Sequence, residues 1–232
     1  MTLKQDEQDR LWNHIQTHVR GAFDLSYPRL RFLAGKCRRG SRVLNIGVGT
    51  GYLEELLLAR GVETFSLDPS ANSIERLRND LHMGDRARQG HGQRIPFESE
   101  AFDTVIMSEV LEHLGTDVLD ATLDEVHRVL KPGGEFTGTV PYQEDLAANE
   151  VICPHCETHF HRWGHAQRFD AGSLRDLIAG HGFRVRRMGP RTFPDFHRRG
   201  AGLFAKAAVR YVLGRLGEPL VGPNLYFRAI RD

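Results

Sequence analysis

Cysteine is scarce in this chain, three in 232 residues, and so small and odd a number excludes the disulfide framework on which small secreted domains depend. Cys37 stands alone as an ordinary thiol. Cys153 and Cys156 form a C-x-x-C pair, a spacing that suits a metal or a reduced pair better than a structural bridge. Long apolar runs are missing as well. No stretch of about 18 apolar residues exists to cross a bilayer, and the opening MTLKQDEQDR is too polar for a secretory leader, so the expected address is cytoplasmic. Net charge is nearly absent too, at +1, and with no appended RNA-binding module this gives no reason to expect a nucleic-acid partner. Internal repeats and low-complexity tracts are also lacking.

What is present is alternation. Short apolar runs trade places with amphipathic segments: RVLNIG then YLEELLLARG, ETFSLD then SIERLRNDL, DTVIMS then VLDATLDEVHRVL, EFTGTV then SLRDLIAGHG, followed by FRVRRM and a last strand NLYFRAIR. That order predicts an α/β fold, a mainly parallel sheet with helices on both faces. Before it, residues 1–34 read as a helical extension, with Leu11, Ile15 and Val19 and then Leu30 and Leu33 at helical spacing, interrupted near Pro28. This extension either covers a site or caps the fold. The main domain is expected over 35–232, with a Cys/His-rich insertion at 143–170 and a basic helical insertion at 190–220.

After RVLNI comes Gly47-Val48-Gly49-Thr50-Gly51 and then a helix. Glycines between a parallel strand and a helix N-terminus let the backbone approach a ligand closely and present N–H groups to it. About twenty residues on, at the end of the second strand, Asp68 is placed where a carboxylate can take ribose hydroxyls. Taken in order, VLNIGVGTGYLEELL, SLD, RIPFESEAFDTVIMSEVLEHL and LKPGGEF resemble successive motifs of the class I S-adenosylmethionine (SAM) dependent methyltransferases, type 11 above all. The resemblance covers roughly residues 40–142 and implies a Rossmann-like seven-stranded sheet and SAM as cofactor. It implies cofactor roles for Gly47, Gly49, Gly51, Asp68 and Ser108, and for His91 and Gly92 at the adenine. His91 departs from the family, which usually has an acid there; a neutral imidazole nitrogen can still accept the adenine amino hydrogen bond.

Methyl transfer needs an acceptor atom aligned with the S–CH₃ bond and, for a hydroxyl, removal of a proton. Glu109, Glu112 and His113 fall at i, i+3 and i+4, which predicts one face of a helical turn over the pocket and a catalytic trio. The histidine is then a base or a structural hydrogen-bonder, or the trio is a metal site. The E-x-x-E-H pattern with a later histidine resembles ubiquinone-biosynthesis O-methyltransferases and small-RNA 3′-terminal methyltransferases. That resemblance implies Glu109, Glu112, His113 and His165 around a divalent cation such as Mg²⁺. A competing site is read from CPHCETHFHRWGH, where Cys153 and Cys156 with His161 and His165, or His159, offer the donors that Zn²⁺ prefers. Tyr142 and Trp163 are candidate walls of an acceptor pocket, or plain core.

Between Arg184 and Arg215 lie nine basic residues (Arg184, Arg186, Arg187, Arg191, Arg198, Arg199, Lys206, Arg210 and Arg215) against the single acid Asp195, a local basic patch. Within it GLFAKAAVRYVLGRLG places Phe204, Ala208, Tyr211 and Val212 near one face, which predicts packing on the sheet or peripheral membrane contact through 201–216. The function expected is SAM-dependent O-methylation of a small-molecule, saccharide or lipid-linked acceptor. The alternatives are RNA 3′-terminal 2′-O-methylation and a SAM-binding protein without turnover.

Overall fold

A computed structural model describes residues 3–19, 23, 26–194, 201–216, 218 and 223–232. Asp195, Arg198 and Arg199 of the basic patch lie outside the described residues, as do the side chains of Phe204 and Arg215. In chain order the elements are α1 (Gln5–His18), α2 (Tyr27–Ala34), β1 (Arg42–Ile46), α3 (Tyr52–Ala59), β2 (Glu63–Asp68), α4 (Ala71–Asp80), β3 (Ala87–Gln89), β4 (Phe102–Ser108), α5 (Thr116–Val129) and β5 (Leu130–Pro141), then β6 (Glu150–Ile152), β7 (His159–His161), α6 (Ala171–Gly180), β8 (Phe183–Arg191), α7 (Ala201–Arg215) and β9 (Asn224–Arg231).

Seven strands form one sheet in the order β3-β2-β1-β4-β5-β9-β8. β1 through β5 are parallel, and β9 runs antiparallel to both of its neighbours. The central strands are apolar on both faces because helices cover both. Along β1 and β4 the buried residues divide by period two: Leu44, Ile46, Val105 and Met107 join a core with α5 and α6, while Val43 and Ile106 pack with Leu33, Leu53 and Leu57 on the other side. α5 docks through Leu119, Leu123, Val126 and Val129, all buried and spaced as one helical face requires. Burying each such side chain contributes roughly 1.5–3 kcal/mol.

The helical extension is interrupted near Pro28 as expected: α1 ends at His18 and α2 begins at Tyr27, with Pro28 in the first turn of α2, where a missing N–H costs nothing. The seventh strand, β3, is three residues with only Ala87 buried, too short to carry a period. One expectation is corrected here. Val212 is 56% exposed, so α7 buries Ala207 and sets Gly214 against Thr192 instead. No helix among the described residues is long and apolar enough to cross a membrane. β6 and β7 pair as a separate hairpin within 143–170, with Glu150 opposite His161 and Ile152 opposite His159.

Candidate active site

The reversal of strand order between the parallel neighbours β1 and β4 opens a cleft at the carboxyl ends of the strands, where open α/β sheets bind ligands. β1 ends at Ile46 and the chain turns through Gly47, Gly49 and Gly51, whose φ values are +88°, +58° and +84°. Gly47 has two reasons to be glycine: its φ is left-handed, and a Cβ there would stand 2.6 Å from Val110 Cγ2. Asp68, at the end of β2, accepts from the Val48 amide through Oδ2 and from the Ser70 amide through Oδ1, both at 2.8 Å. Burial pushes its carboxyl up, and these two N–H groups work against that shift. One carboxylate therefore ties the glycine turn to the start of α4.

His91 and Gly92 line the same pocket from the β3–β4 connection, and Ser108 lines it from the end of β4. His91 Nε2 lies 3.6 Å from Asp9 of α1. Gly92 leaves no room for a side chain, since a Cβ would meet Thr122 Cγ2 of α5 at 2.7 Å. Ser108 Oγ accepts from Arg29 Nε at 3.0 Å and shares a hydrogen bond with Thr139. All seven expected cofactor positions except Gly51 thus border one cavity; Gly51 serves as N-cap of α3.

The roof was not foreseen in detail. α1 crosses the opening with Gln8, Asp9, Trp12 and Gln16, and Phe23 continues the wall. Gln8 is the anchor. Its amide donates to the His113 carbonyl at 2.6 Å and the Gly164 carbonyl at 2.9 Å, both buried. Trp12 meets the His113 ring edge to face at 4.7 Å. Trp12 and Phe23 supply the aromatic surface that had been expected of Tyr142 and Trp163. Tyr142 packs against the core next to β5 and Trp163 lies under the Arg162 guanidinium; neither lines the pocket.

Beyond β4 the expected helical face does not form. Glu109 has a φ of +57° and gives its amide to Thr139, and only Leu111–His113 makes a short 3-10 turn. Glu109 lines the cavity beside His113 but is not among the convergent donors: its Oε2 accepts from Asn224 at 2.8 Å and lies 3.7 Å from Arg29, while its Oε1 is buried without a partner. Glu112, His113 and His165 do converge, with one ligand atom of each within 4.8 Å of the others. Both carboxylate oxygens of Glu112 and Nδ1 of His113 are buried without a hydrogen-bond partner. Burial first, then the Glu109 charge, pushes Glu112 well above the usual carboxylate range. Burial, with the His165 and His161 imidazoles adding to it, holds His113 well below the usual histidine range.

Behind this trio lies a second, Glu144, His161 and His165. Glu144 was not singled out by any motif, and only the fold brings it there. Burial pushes its carboxyl up, but the hydrogen bond and charge of His165 outweigh that and leave it below the usual range. The Cys/His site is corrected by the same geometry. Among the described residues no group of three convergent donors includes Cys153 or Cys156. The cysteines sit in the β6–β7 turn, where Cys156 Sγ contacts Thr158, while His161 is turned under the hairpin and buried.

A family model described as a methyltransferase domain matches residues 15–187. A ubiquinone biosynthesis O-methyltransferase of Bradyrhizobium sp. is 38% identical over 107 residues, 42% of this chain and 39% of that protein. A demethylmenaquinone methyltransferase of Clavibacter sepedonicus is 35% identical over 99 residues, 42% and 40% respectively. The chain thus spans less than half the length of these relatives. Among solved structures, a Burkholderia thailandensis 1,6-didemethyltoxoflavin-N1-methyltransferase with bound 1,6-didemethyltoxoflavin and S-adenosylhomocysteine superposes with a TM-score of 0.67 at 16% identity, covering 100% of this chain and 92% of that one. The [4+2]-cyclase SpnF gives 0.67 at 15%, covering 100% and 97%. At such identities the likeness is one of fold.

Proposed function

The chain belongs to the methyltransferase-domain family, and from that premise we propose that it transfers the methyl group of SAM to a hydroxyl of a small-molecule, saccharide or lipid-linked acceptor, assisted by a divalent cation on Glu112, His113 and His165. The cofactor half rests on the cleft: a glycine turn, Asp68 and the His91–Gly92 segment border one cavity roofed by α1, the arrangement a nucleoside with a charged tail requires. The acceptor half rests on one observation. Glu112, next to the pocket-lining His113, is a buried acid with neither oxygen hydrogen-bonded, and a polar group buried without a partner carries a cost that a bound cation would offset.

Two imidazoles and a carboxylate are donors that suit Zn²⁺, Mn²⁺ or Co²⁺. A cation bound there supplies Lewis acidity that lowers the pKa of an acceptor hydroxyl. The protein's own share is positioning: α1 and Trp12 exclude water above the cofactor, and Arg29 with Asn224 holds Glu109 in place. Oxygen as the acceptor atom is favoured by the Bradyrhizobium relative, named for ubiquinone O-methylation. A lipid-linked acceptor and peripheral membrane contact are supported by α7, where Val209 and Val212 are exposed beside Lys206, and by Leu216, exposed just past its end.

The test is S-adenosylhomocysteine release by the purified chain over a panel of phenolic, catecholic and saccharide acceptors, with EDTA and with added Mn²⁺. Turnover that depends on the cation and falls by at least about 10²-fold in Glu112→Ala is expected, since a lost ligand costs no less than the roughly 10- to 100-fold typical of a ligand's outer partners. Methyl products on nitrogen or carbon, or a rate indifferent to EDTA, would sink the reading. The same assay tests a second reading, SAM binding without methyl transfer, which release of S-adenosylhomocysteine excludes.

A further inference from the structure

We propose that Glu144 is the positioning residue of this site: it fixes the tautomer of His165, proton on Nδ1, so that Nε2 keeps the lone pair with which His165 serves beside Glu112 and His113. The inference rests on the cation reading above for its purpose, though not for its geometry. His165 Nδ1 is hydrogen-bonded to Glu144 Oε2. An ionised carboxylate only accepts, so the proton of that bond belongs to the imidazole. The neutral ring then has its one basic nitrogen at Nε2.

The orientation of Glu144 is itself fixed. His161 Nδ1 accepts from the main-chain N–H of His165 at 3.1 Å and of Trp163 at 3.4 Å. Its own proton must therefore sit on Nε2, which is buried and 3.5 Å from Glu144 Oε1. Asn149 Nδ2 donates to that same oxygen at 3.2 Å. Both carboxylate oxygens thus face donors, and the His161 and His165 rings stack on each other with centroids 4.4 Å apart. In this arrangement His161, whose Nε2 is buried without a hydrogen-bond partner, faces Glu144 within the second trio and lies outside the first. The His165 ring meets His113 edge to face at 4.6 Å, which places the oriented imidazole against the first trio. Carboxylates that orient metal-binding histidines from behind are a recurrent arrangement, and their loss typically weakens metal affinity by about 10- to 100-fold.

The experiment uses the full chain, isotopically labelled and metal-free, with Glu144→Ala and Glu144→Gln. Long-range ¹H–¹⁵N correlation of the imidazoles is expected to show the Nδ1–H tautomer of His165 in the wild type. It should be lost in Glu144→Ala and kept in Glu144→Gln, whose amide oxygen accepts from His165 while its NH2 meets the Asn149 amide, flipped to present its oxygen. Mn²⁺ binding followed by electron paramagnetic resonance should weaken by about 10- to 100-fold in the alanine variant and recover most of the loss in the glutamine variant. A His165 tautomer unchanged by Glu144→Ala overturns the proposal. So does a tautomer change that leaves Mn²⁺ affinity untouched. Absence of Mn²⁺ binding in the wild type overturns the cation reading instead, and the tautomer shift alone then decides the role of Glu144. Unchanged S-adenosylhomocysteine binding in both variants separates these results from misfolding.

Discussion

Asp68 lends one carboxylate oxygen to the Val48 amide and the other to the Ser70 amide, so it shapes the glycine turn before any nucleoside arrives. Removing it unpairs two N–H groups at a site only 2% exposed, each costing about 1–3 kcal/mol. Asp68→Ala should therefore both lower the melting temperature and abolish the further rise that S-adenosylhomocysteine produces. A variant that kept the ligand-induced rise would show that the carboxylate is structural only. The thiols differ as sharply. Burial pushes Cys37 up to about 12, whereas the Thr158 hydroxyl and amide hold the exposed Cys156 below the usual thiol range. Since the thiolate is the nucleophile, iodoacetamide at mildly alkaline pH should label Cys156 and spare Cys37 in the native chain. Peptide mass spectrometry reads the difference, and equal labelling would contradict the burial of Cys37.

At the scale of elements, β1, β4 and β5 are locked at one end by Asp103, which accepts from the Arg42 amide at 2.8 Å and from Lys131 at 2.7 Å. Burial pushes this carboxyl up, but those two donors outweigh it and hold it below the usual aspartate range. A depressed folded-state pKa adds stability above the unfolded value of about 3.9, and that stability is lost as pH falls through the folded value. Asp103→Asn should thus cost about 1 kcal/mol at neutral pH and progressively less below about pH 4. Urea unfolding at two pH values tests this; a cost independent of pH would assign the effect to packing. The strands themselves were legible because β1, β4 and β9 each carry a short buried apolar run, Val43 and Leu44 in the first, Val105, Ile106 and Met107 in the second, and Leu225, Tyr226 and Phe227 in the third, as covered strands do. β3 was not, because ARQ buries one residue. Nor was the turn at Glu109, where helical spacing suggested a shared face. Its left-handed backbone depends on the Thr139 carbonyl of a neighbouring strand, which local sequence does not encode. The dense cysteines and histidines suggested one site for a similar reason. Pairing of β6 with β7 carries Cys153 and Cys156 to the tip and His161 beneath, and only tertiary packing brings Glu144 to meet it.

For the molecule as a whole, the sheet supplies stability and α1 supplies enclosure, and the two contributions can be separated. Of the described side chains in α1 only Gln8 and Ile15 are buried, so the helix adds little to the core. Gln5, Gln8, Asp9, Trp12 and Gln16 nevertheless line the cavity, so much of what a bound nucleoside would touch comes from this weakly held element. Ligand at 100 times its Kd stabilises a protein by about 2.7 kcal/mol, which for a chain of this size corresponds to roughly 5–10 °C in melting temperature. Deleting residues 1–19 should leave the unliganded melting temperature nearly unchanged and weaken S-adenosylhomocysteine binding by at least about tenfold, or 1.4 kcal/mol. Differential scanning fluorimetry with and without ligand reads both. If the deletion lowers the unliganded melting temperature as much as it lowers the ligand-induced rise, α1 is a structural cap. If the rise alone shrinks, α1 serves the ligand and not the core, and the polar contacts of Gln8 to His113 and Gly164 tie that roof to the acceptor end of the pocket.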